Sequence, residues 1–230
     1  MHSVRVNRKG ADRLRSGHPW IFSSDIVDRG SAEPGDAVKV VDPRNEALGV
    51  AHYSSTSQIT LRSLSRSVVE ADAAFYLERI RAAAAHRKMV VPGDSSAYRL
   101  VHGEGDLLPG LVIDRYGDGY FVMQALSQGM DKAQPQILAA LIELFQPLGV
   151  VARNDAAVRK HETLATETRV AHGEIPDRVG FTLNGLQLEA DLLHGQKTGI
   201  FLDQRENYKA AAHYARGRAL DCFTSTGGFA

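Results

Sequence analysis

The segment 181–190, Phe-Thr-Leu-Asn-Gly-Leu-Gln-Leu-Glu-Ala, constrains the fold more tightly than any other stretch of this chain. Apolar and polar residues alternate on both sides of Asn184-Gly185, a pair suited to the type I′ turn whose two central residues have positive φ. A β-hairpin is therefore predicted here. Upstream, residues 38–42, 48–53 and 59–64 read as three strands separated by turn signals at 33–36 and 42–45, which makes residues 1–70 a small β-rich unit. Residues 71–89 carry a helical pattern, with Phe75, Leu77, Ile80, Ala84 and Met89 on the expected inner face and Pro92-Gly93 as the stop. Strands at 111–114, 120–126 and 149–152 and a helix at 131–145, facing inward through Ile137, Leu138, Leu141, Ile142 and Phe145, give a central α+β unit over residues 71–180.

After the hairpin come a polar loop at 195–203, a helix at 204–215, Gly217 at its C-terminal end and a short strand at 218–223. That strand runs into Thr224-Ser225-Thr226-Gly227-Gly228, where glycine would let the backbone approach a ligand closely. In doubly wound sheets nucleotide-like ligands bind in such a crevice, at the carboxyl end of a strand. The loop lacks the three-glycine spacing of a dinucleotide fingerprint and the Gly-Lys-Ser/Thr of a phosphate loop. Taken alone, it is also what an ordinary turn looks like.

Composition bounds the class. Hydrophobic residues make up 43% of the chain, enough for a packed core, and no apolar run is long enough to span a bilayer. The N-terminus is polar and basic with no apolar stretch behind it, so no secretory signal is expected. A single cysteine, Cys222, excludes an internal disulfide and fits a reducing compartment, the cytoplasm. Its neighbours suggest a small buried hydrophobe inside a strand rather than a nucleophile. The 27 basic residues balance 27 acidic ones, but a nucleic-acid partner depends on where positive charge lies. Within residues 1–30 basic side chains outnumber acidic ones. Arg5, Arg8, Lys9 and Arg15 there could contact phosphate or simply form a solvated face. His18, more simply a turn residue, and Trp20, more simply core, complete the RNA-facing candidates. The acidic turn around His102, Glu104 and Asp106 has no metal-ligand spacing and reads as structural, as do Arg153, Asn154 and Asp155. No metal is expected.

The stretch 197–207, Lys-Thr-Gly-Ile-Phe-Leu-Asp-Gln-Arg-Glu-Asn, followed by Asp221, Phe223 and Thr226-Gly227-Gly228-Phe229, changes the odds. Together these resemble the PUA-domain-containing class I S-adenosylmethionine-dependent methyltransferases that form 5-methylcytosine in 23S ribosomal RNA. Ile200, where the family has an aromatic residue, is a mild departure. Residues 17–22, 48–51, 99–110 and 153–155 look like further signatures of that family, in the right order. The resemblance implies a PUA-like RNA-binding barrel, a central α+β domain and, over 181–230, the hairpin and the start of a Rossmann-like α/β methyltransferase domain. It implies S-adenosyl-L-methionine as cofactor and ribosomal RNA as partner, and it leaves a homodimer open.

Carried onto this sequence, the cofactor residues are Lys197, Thr198, Gly199, Phe201, Asp203, Gln204, Arg205, Asp221, Phe223, Thr226, Gly227 and Gly228. Asp203, Gln204 and Arg205 could alternatively cap a helix. The family's chemistry is addition of a cysteine thiolate to cytosine C6, methylation at C5 and loss of the C5 proton to a base. Its nucleophile is expected beyond Ala230, so no catalytic residue is assigned and the chain is expected to be inert alone. Two other readings stay open: a non-catalytic RNA-binding module built on the first unit, and a nicotinamide-dependent oxidoreductase suggested only by the strand and glycine loop.

Overall fold

A computed structural model describes residues 1–229. The first unit contains β1 (Ser3–Val6), α1 (Arg8–Arg15), β2 (Trp20–Phe22), β3 (Ile26–Asp28), β4 (Ala37–Val41), β5 (Ala47–Tyr53) and β6 (Ile59–Ser65). They form one sheet in the order β2-β6-β5-β4-β1-β3, with β1 and β4 parallel and the other pairs antiparallel. Val4, Val6, Ile21, Val38, Val40, Ala51 and Leu61 point into a common core closed by Ala11 and Leu14 of α1. Asn7 caps that helix by accepting from the Gly10 amide at 2.8 Å. The expected barrel is an open sheet instead. Its edge strands β2 and β3 have three residues each, and their pairings break register at Ile21/Phe22 and Arg5/Val6, so neither carries a ladder long enough to close the ring.

The second unit begins with α2 (Ala73–Val90), capped by Asp72 accepting from the Phe75 amide at 2.9 Å. The helix buries Tyr76, Ile80 and Ala83, while Met89 is 78% exposed. The expected inner face is thus rotated: Phe75, Leu77 and Ala84 only flank the core. Then follow β7 (Tyr98–His102), β8 (Leu111–Tyr116), β9 (Tyr120–Ala125), α3 (Gln128–Lys132), α4 (Gln134–Phe145), β10 (Gly149–Asn154) and β11 (Glu167–Gly173). The sheet order is β11-β10-β9-β8-β7, and only β9 and β10 run parallel. Their crossover contains α3 and α4, which replace the single helix expected at 131–145. Pro135 lies in the first turn of α4, where its missing N–H costs nothing, so the chain restarts a helix there instead of continuing one. Ile80, Leu100, Leu111, Ile113, Phe121, Ile137 and Leu141 fill the core between helices and sheet.

The opposite face of this sheet is covered by β12 (Val179–Leu183) and β13 (Leu186–Ala190), the hairpin expected from the sequence. Asn184 and Gly185 have φ of 53° and 80°, as a type I′ turn requires. Val179, Phe181 and Leu183 pack on Tyr116, Val122 and Val151, with the Phe181 and Tyr116 rings edge to face at 5.5 Å. Beyond the polar loop, α5 (Arg205–Tyr214) ends the regular structure, and Gly217 is left-handed at φ 66°. The strand expected at 218–223 does not form, and no strand of a methyltransferase-type parallel sheet occurs among the described residues. A short apolar run becomes a strand only when a neighbour supplies ladder hydrogen bonds, and none lies beside it. Cys222 is accordingly exposed rather than a buried hydrophobe. Ala230, the last residue of the glycine-loop segment, lies outside the described residues.

One histidine sits where the two units meet. His52 of β5 is 3% exposed and its Nε2 lies 2.9 Å from the Tyr76 hydroxyl of α2, while its Nδ1 has no partner. Burial, with a smaller contribution from Arg62, lowers its pKa from 6.5 to about 3. The unfolded chain therefore takes up this proton first, so stability is highest above pH 6.5 and falls as pH drops toward 3. Urea unfolding at neutral pH and near pH 5 should differ by about 2 kcal/mol from this group. A His52→Gln variant should flatten that dependence, and an unchanged slope in the variant would assign the acid sensitivity elsewhere.

Candidate functional site

The loop after β13 is not free. Two buried polar devices fasten it to the central sheet. In the first, the fully buried Asp114 of β8 accepts a fork from Arg99 of β7, Nε to Oδ1 at 2.9 Å and Nη2 to Oδ2 at 3.0 Å. The same carboxylate accepts the Thr198 hydroxyl at 2.6 Å, and the Tyr116 hydroxyl accepts the Ile200 amide at 3.3 Å. Burial pushes the Tyr116 phenol up to about 12, helped by the Asp114 charge. Burial opposes the charge on Arg99, but the bond to Asp114 and its charge more than offset this, and the guanidinium pKa is raised. In the second device Arg153 of β10, 5% exposed, donates to the carbonyls of Leu192 and Gly195 at 3.0–3.2 Å and forks onto Asp155.

The result is a cleft of about 630 Å³ between the sheet end and the loop. Arg99, Gln124, Arg153, Asp155, Lys197 and Asp203 line it, with Ile200 and Leu202 as apolar floor. It holds cations and carboxylates together and falls in the size range of small-molecule sites. The Lys197 ammonium lies 3.8 Å from Asp203 and 4.2 Å from the Phe201 ring centre.

The candidate cofactor residues divide into three groups. Lys197 and Asp203 line the cleft, Thr198 and Gly199 anchor its loop against Asp114 and Tyr116, and Phe201 backs Lys197. Gln204 and Arg205 open α5, which has no side-chain cap, so Asp203 is left facing the cleft rather than spent on capping. Arg205 lines an adjoining cleft with Arg87 and Tyr98. Asp221, Phe223, Thr226, Gly227 and Gly228 do not line the cleft. Asp221 accepts the Thr224 hydroxyl at 2.6 Å, and Phe223 is fully exposed with φ 64°. Gly228 packs so closely on Tyr208 of α5 that a Cβ there would come 2.3 Å from the ring, and Phe229 meets the same ring edge-on at 4.6 Å.

Asp114, Arg99 and Arg153 are the residues that build the site, and sequence reasoning did not single them out for it. One signal existed for Asp114: an acid inside the apolar strand Leu-Val-Ile-Asp-Arg-Tyr is expensive to bury without a partner. Glu104 and Asp106 take structural roles. Glu104 accepts the Trp20 indole N–H at 2.7 Å, and Asp106 accepts a fork from Arg87 at 2.6–3.1 Å. Asn154 is fully buried and accepts the Ala125 amide at 2.9 Å. Among the described residues no group of three or more His, Cys, Asp or Glu side chains could hold a metal ion.

The RNA-facing candidates do not form one patch. Arg8 and Arg15 of α1 face a cleft shared with Asp12, Asp42 and Glu46. Arg15 is bound to Asp42 at 2.7 Å, and that hydrogen bond raises its pKa. Arg8 lies 3.9 Å from Asp12, Arg5 donates to Asn45 at 2.8 Å, and Lys9 is exposed. His18 and Trp20 follow α1, where Trp20 is half-buried with its N–H spent on Glu104.

Residues 4–66 match the PUA-like domain family. The ribosomal RNA large subunit methyltransferase I of Tolumonas auensis is 41% identical over 233 residues, covering 99% of this chain and 58% of that protein. The enzyme of the same name from Aliivibrio fischeri is 40% identical over 228 residues, covering 96% of this chain and 57% of that protein. The chain thus spans just over half the length of these relatives. Two solved structures share the fold: a candidate SAM-dependent methyltransferase from Streptococcus mutans, with TM-score 0.75 and 22% identity over 92% of this chain and 54% of that one, and a candidate methyltransferase complexed with SAH, with TM-score 0.82 and 23% identity over 100% and 58%. No helix is long and apolar enough to cross a membrane. Over nearly its whole length, the chain is related to the N-terminal part of the ribosomal RNA large subunit methyltransferase I family.

Proposed function

We propose that this chain carries the RNA-docking part and one wall of the cofactor site of an S-adenosylmethionine-dependent methyltransferase that forms 5-methylcytosine in 23S ribosomal RNA. The observation that carries the reading is the pinned loop. Residues 197–203, the stretch most like the family's motif, are held by Asp114 and Tyr116, and the turn before them by Arg153, at the rim of a cleft large enough for a nucleoside.

The residues present fit the cofactor on that wall. Lys197 suits the carboxylate of its methionyl end and Asp203 its ammonium, while Ile200 and Leu202 give an apolar floor. When bound, S-adenosylmethionine supplies an activated sulfonium methyl group. This chain's own groups orient it: Asp114 and Arg99 fix the loop, and Arg153 closes the turn beneath it. The glycine loop at 226–228, packed on Tyr208, is assigned to the same site on the resemblance alone.

The test measures two properties of the chain. S-adenosylhomocysteine should raise its melting temperature where NAD does not, with the shift lost in Lys197→Ala, and deproteinised 23S ribosomal RNA should bind in a salt-dependent way. Stabilisation by NAD alone would replace the reading with the oxidoreductase one. RNA binding without any cofactor effect would favour a non-catalytic RNA-binding module.

A further inference from the structure

We propose that the groove between the first sheet and α2 docks the phosphodiester backbone of an RNA strand, with Arg66 and Arg79 as its phosphate contacts. This deepens the RNA-substrate reading above and rests on it. The groove has a volume of about 330 Å³, and its walls come from both units: Leu14, His18 and Ser65–Ser67 on one side, Arg79, Glu104 and Leu107 on the other.

Both arginines that line this groove lack a carboxylate partner among the described residues. Arg13, Arg15, Arg62, Arg87, Arg99 and Arg153 each lie within 4.0 Å of a carboxylate. Among the described residues neither Arg66 nor Arg79 has such a partner. Arg79 is half-buried on α2, stacked on Phe75 at 5.1 Å, and donates only to the Leu64 carbonyl at 3.2 Å. Burial lowers its pKa with no neighbouring charge to offset it. Arg66 is exposed at the groove mouth, and its only hydrogen bond is a long one of 3.5 Å to the Arg15 carbonyl. A partly desolvated guanidinium that lines a cleft with no carboxylate within 4.0 Å of it is arranged for an anion brought by a ligand. One acid, Glu104, lines the groove against its two arginines, and the Trp20 indole N–H holds its carboxylate in place, where the α1 cleft carries three acids.

The remaining walls favour a nucleotide over a bare ion. The serine hydroxyls of Ser65 and Ser67 stand beside Arg66. Leu107, left-handed at φ 58° and 53% exposed, presents an apolar side chain at the rim, where a ribose or base would lie. By contrast, the cleft on α1 mixes its arginines with Asp12, Asp42 and Glu46 and would repel a phosphate.

Binding of a labelled single-stranded oligouridylate to the full chain, titrated with salt, tests this. Arg66→Gln, an exposed change with little consequence for folding, and Arg79→Gln should each weaken binding about fivefold to tenfold and reduce the salt slope by about one. Arg169→Gln, an equal loss of charge on β11, should change neither quantity beyond its small effect on net charge. Inorganic phosphate at equal ionic strength should compete only weakly; full competition would mark a free-anion site instead. Wild-type affinity and slope in both groove variants, with RNA still bound, would overturn the groove and leave the broader reading standing. No RNA binding by the wild-type chain would overturn both.

Discussion

Replacing Asp114 by asparagine is expected to destabilise the protein by about 3 kcal/mol and to free the 196–203 loop from the sheet. The carboxylate is fully buried and accepts three hydrogen bonds, two from Arg99 and one from Thr198. An amide of the same shape offers one acceptor oxygen, and its NH₂ group faces donors. The Arg99 guanidinium, 36% exposed, would then lose its counter-charge, and that exposure keeps the cost at the lower end for a broken buried pair. Thr198→Val separates the loop from the ion pair. It removes the hydroxyl while keeping the shape, so the expected loss is about 1 kcal/mol, with Arg99 and Asp114 still paired. Urea unfolding should rank the two variants in that order, and hydrogen exchange should show the amides of 199–203 opening in both. If those amides stay as protected as in the parent, Tyr116 and Arg153 hold the loop and Asp114 is not its anchor. The same variants should weaken binding of S-adenosylhomocysteine, since Lys197 and Asp203 ride on the released segment.

What the sequence made legible was local. The hairpin at 181–190 is set by alternation and by Asn184-Gly185, both of which act within a few residues, and it forms in the expected register. Strands β4 and β6 are legible from β-branched runs between turn signals, and β8 and β9 from the turn that joins them, for the same reason. Misreadings began where the answer depended on distant partners. Residues 218–223 have strand-like composition but no neighbour to pair with, so the segment stays irregular and Cys222 and Phe223 remain exposed. In α2 the alanine-rich sequence is apolar around most of its circumference, so periodicity selects Ile80, which is buried, but cannot choose Tyr76 and Ala83 over Met89. The helix at 131–145 was drawn through Pro135, although proline there signals a new start.

The candidate site shows the same division. Residues 197–203 were found because they are contiguous and resemble a family motif. Their anchors were not, because Asp114 and Thr198 lie 84 positions apart. The excess of basic residues in the first unit is partly paired off in the fold. Arg13 and Arg15 are neutralised by Asp25 and Asp42, a pairing that no count along the sequence reveals. Arg66 and Arg79, which line the groove without a carboxylate partner among the described residues, lie 13 positions apart at the end of β6 and on α2, so nothing local in the sequence joins them.

The groove between the units depends on how firmly they are joined, and Glu162 is expected to dominate that junction. It is 1% exposed, and its carboxylate meets three elements at once: Arg62 of β6 at 2.9 Å, the Ser54 hydroxyl at 2.7 Å and the Gln128 amide of α3 at 3.1 Å. Gln128 returns a hydrogen bond to the Glu162 carbonyl at 2.8 Å and accepts the Ser55 amide at 2.9 Å. Glu162→Ala removes the only charge opposite an 11%-exposed guanidinium and strands a buried amide and hydroxyl, for an expected loss of about 4 kcal/mol. Arg62→Met in the same chain should recover part of that loss, because the stranded charge is then gone as well. Trp20 is the sole tryptophan and bonds across the junction to Glu104, so its fluorescence should report the loosening during urea unfolding. RNA affinity should fall in Glu162→Ala although no cation has been removed, because Ser65–Ser67 and Arg79 would no longer face each other at a fixed spacing. A variant with the wild-type unfolding midpoint would show that Glu162 is solvated in the native protein, and the rigidity of the junction would then rest on the contacts of His52 and Tyr76.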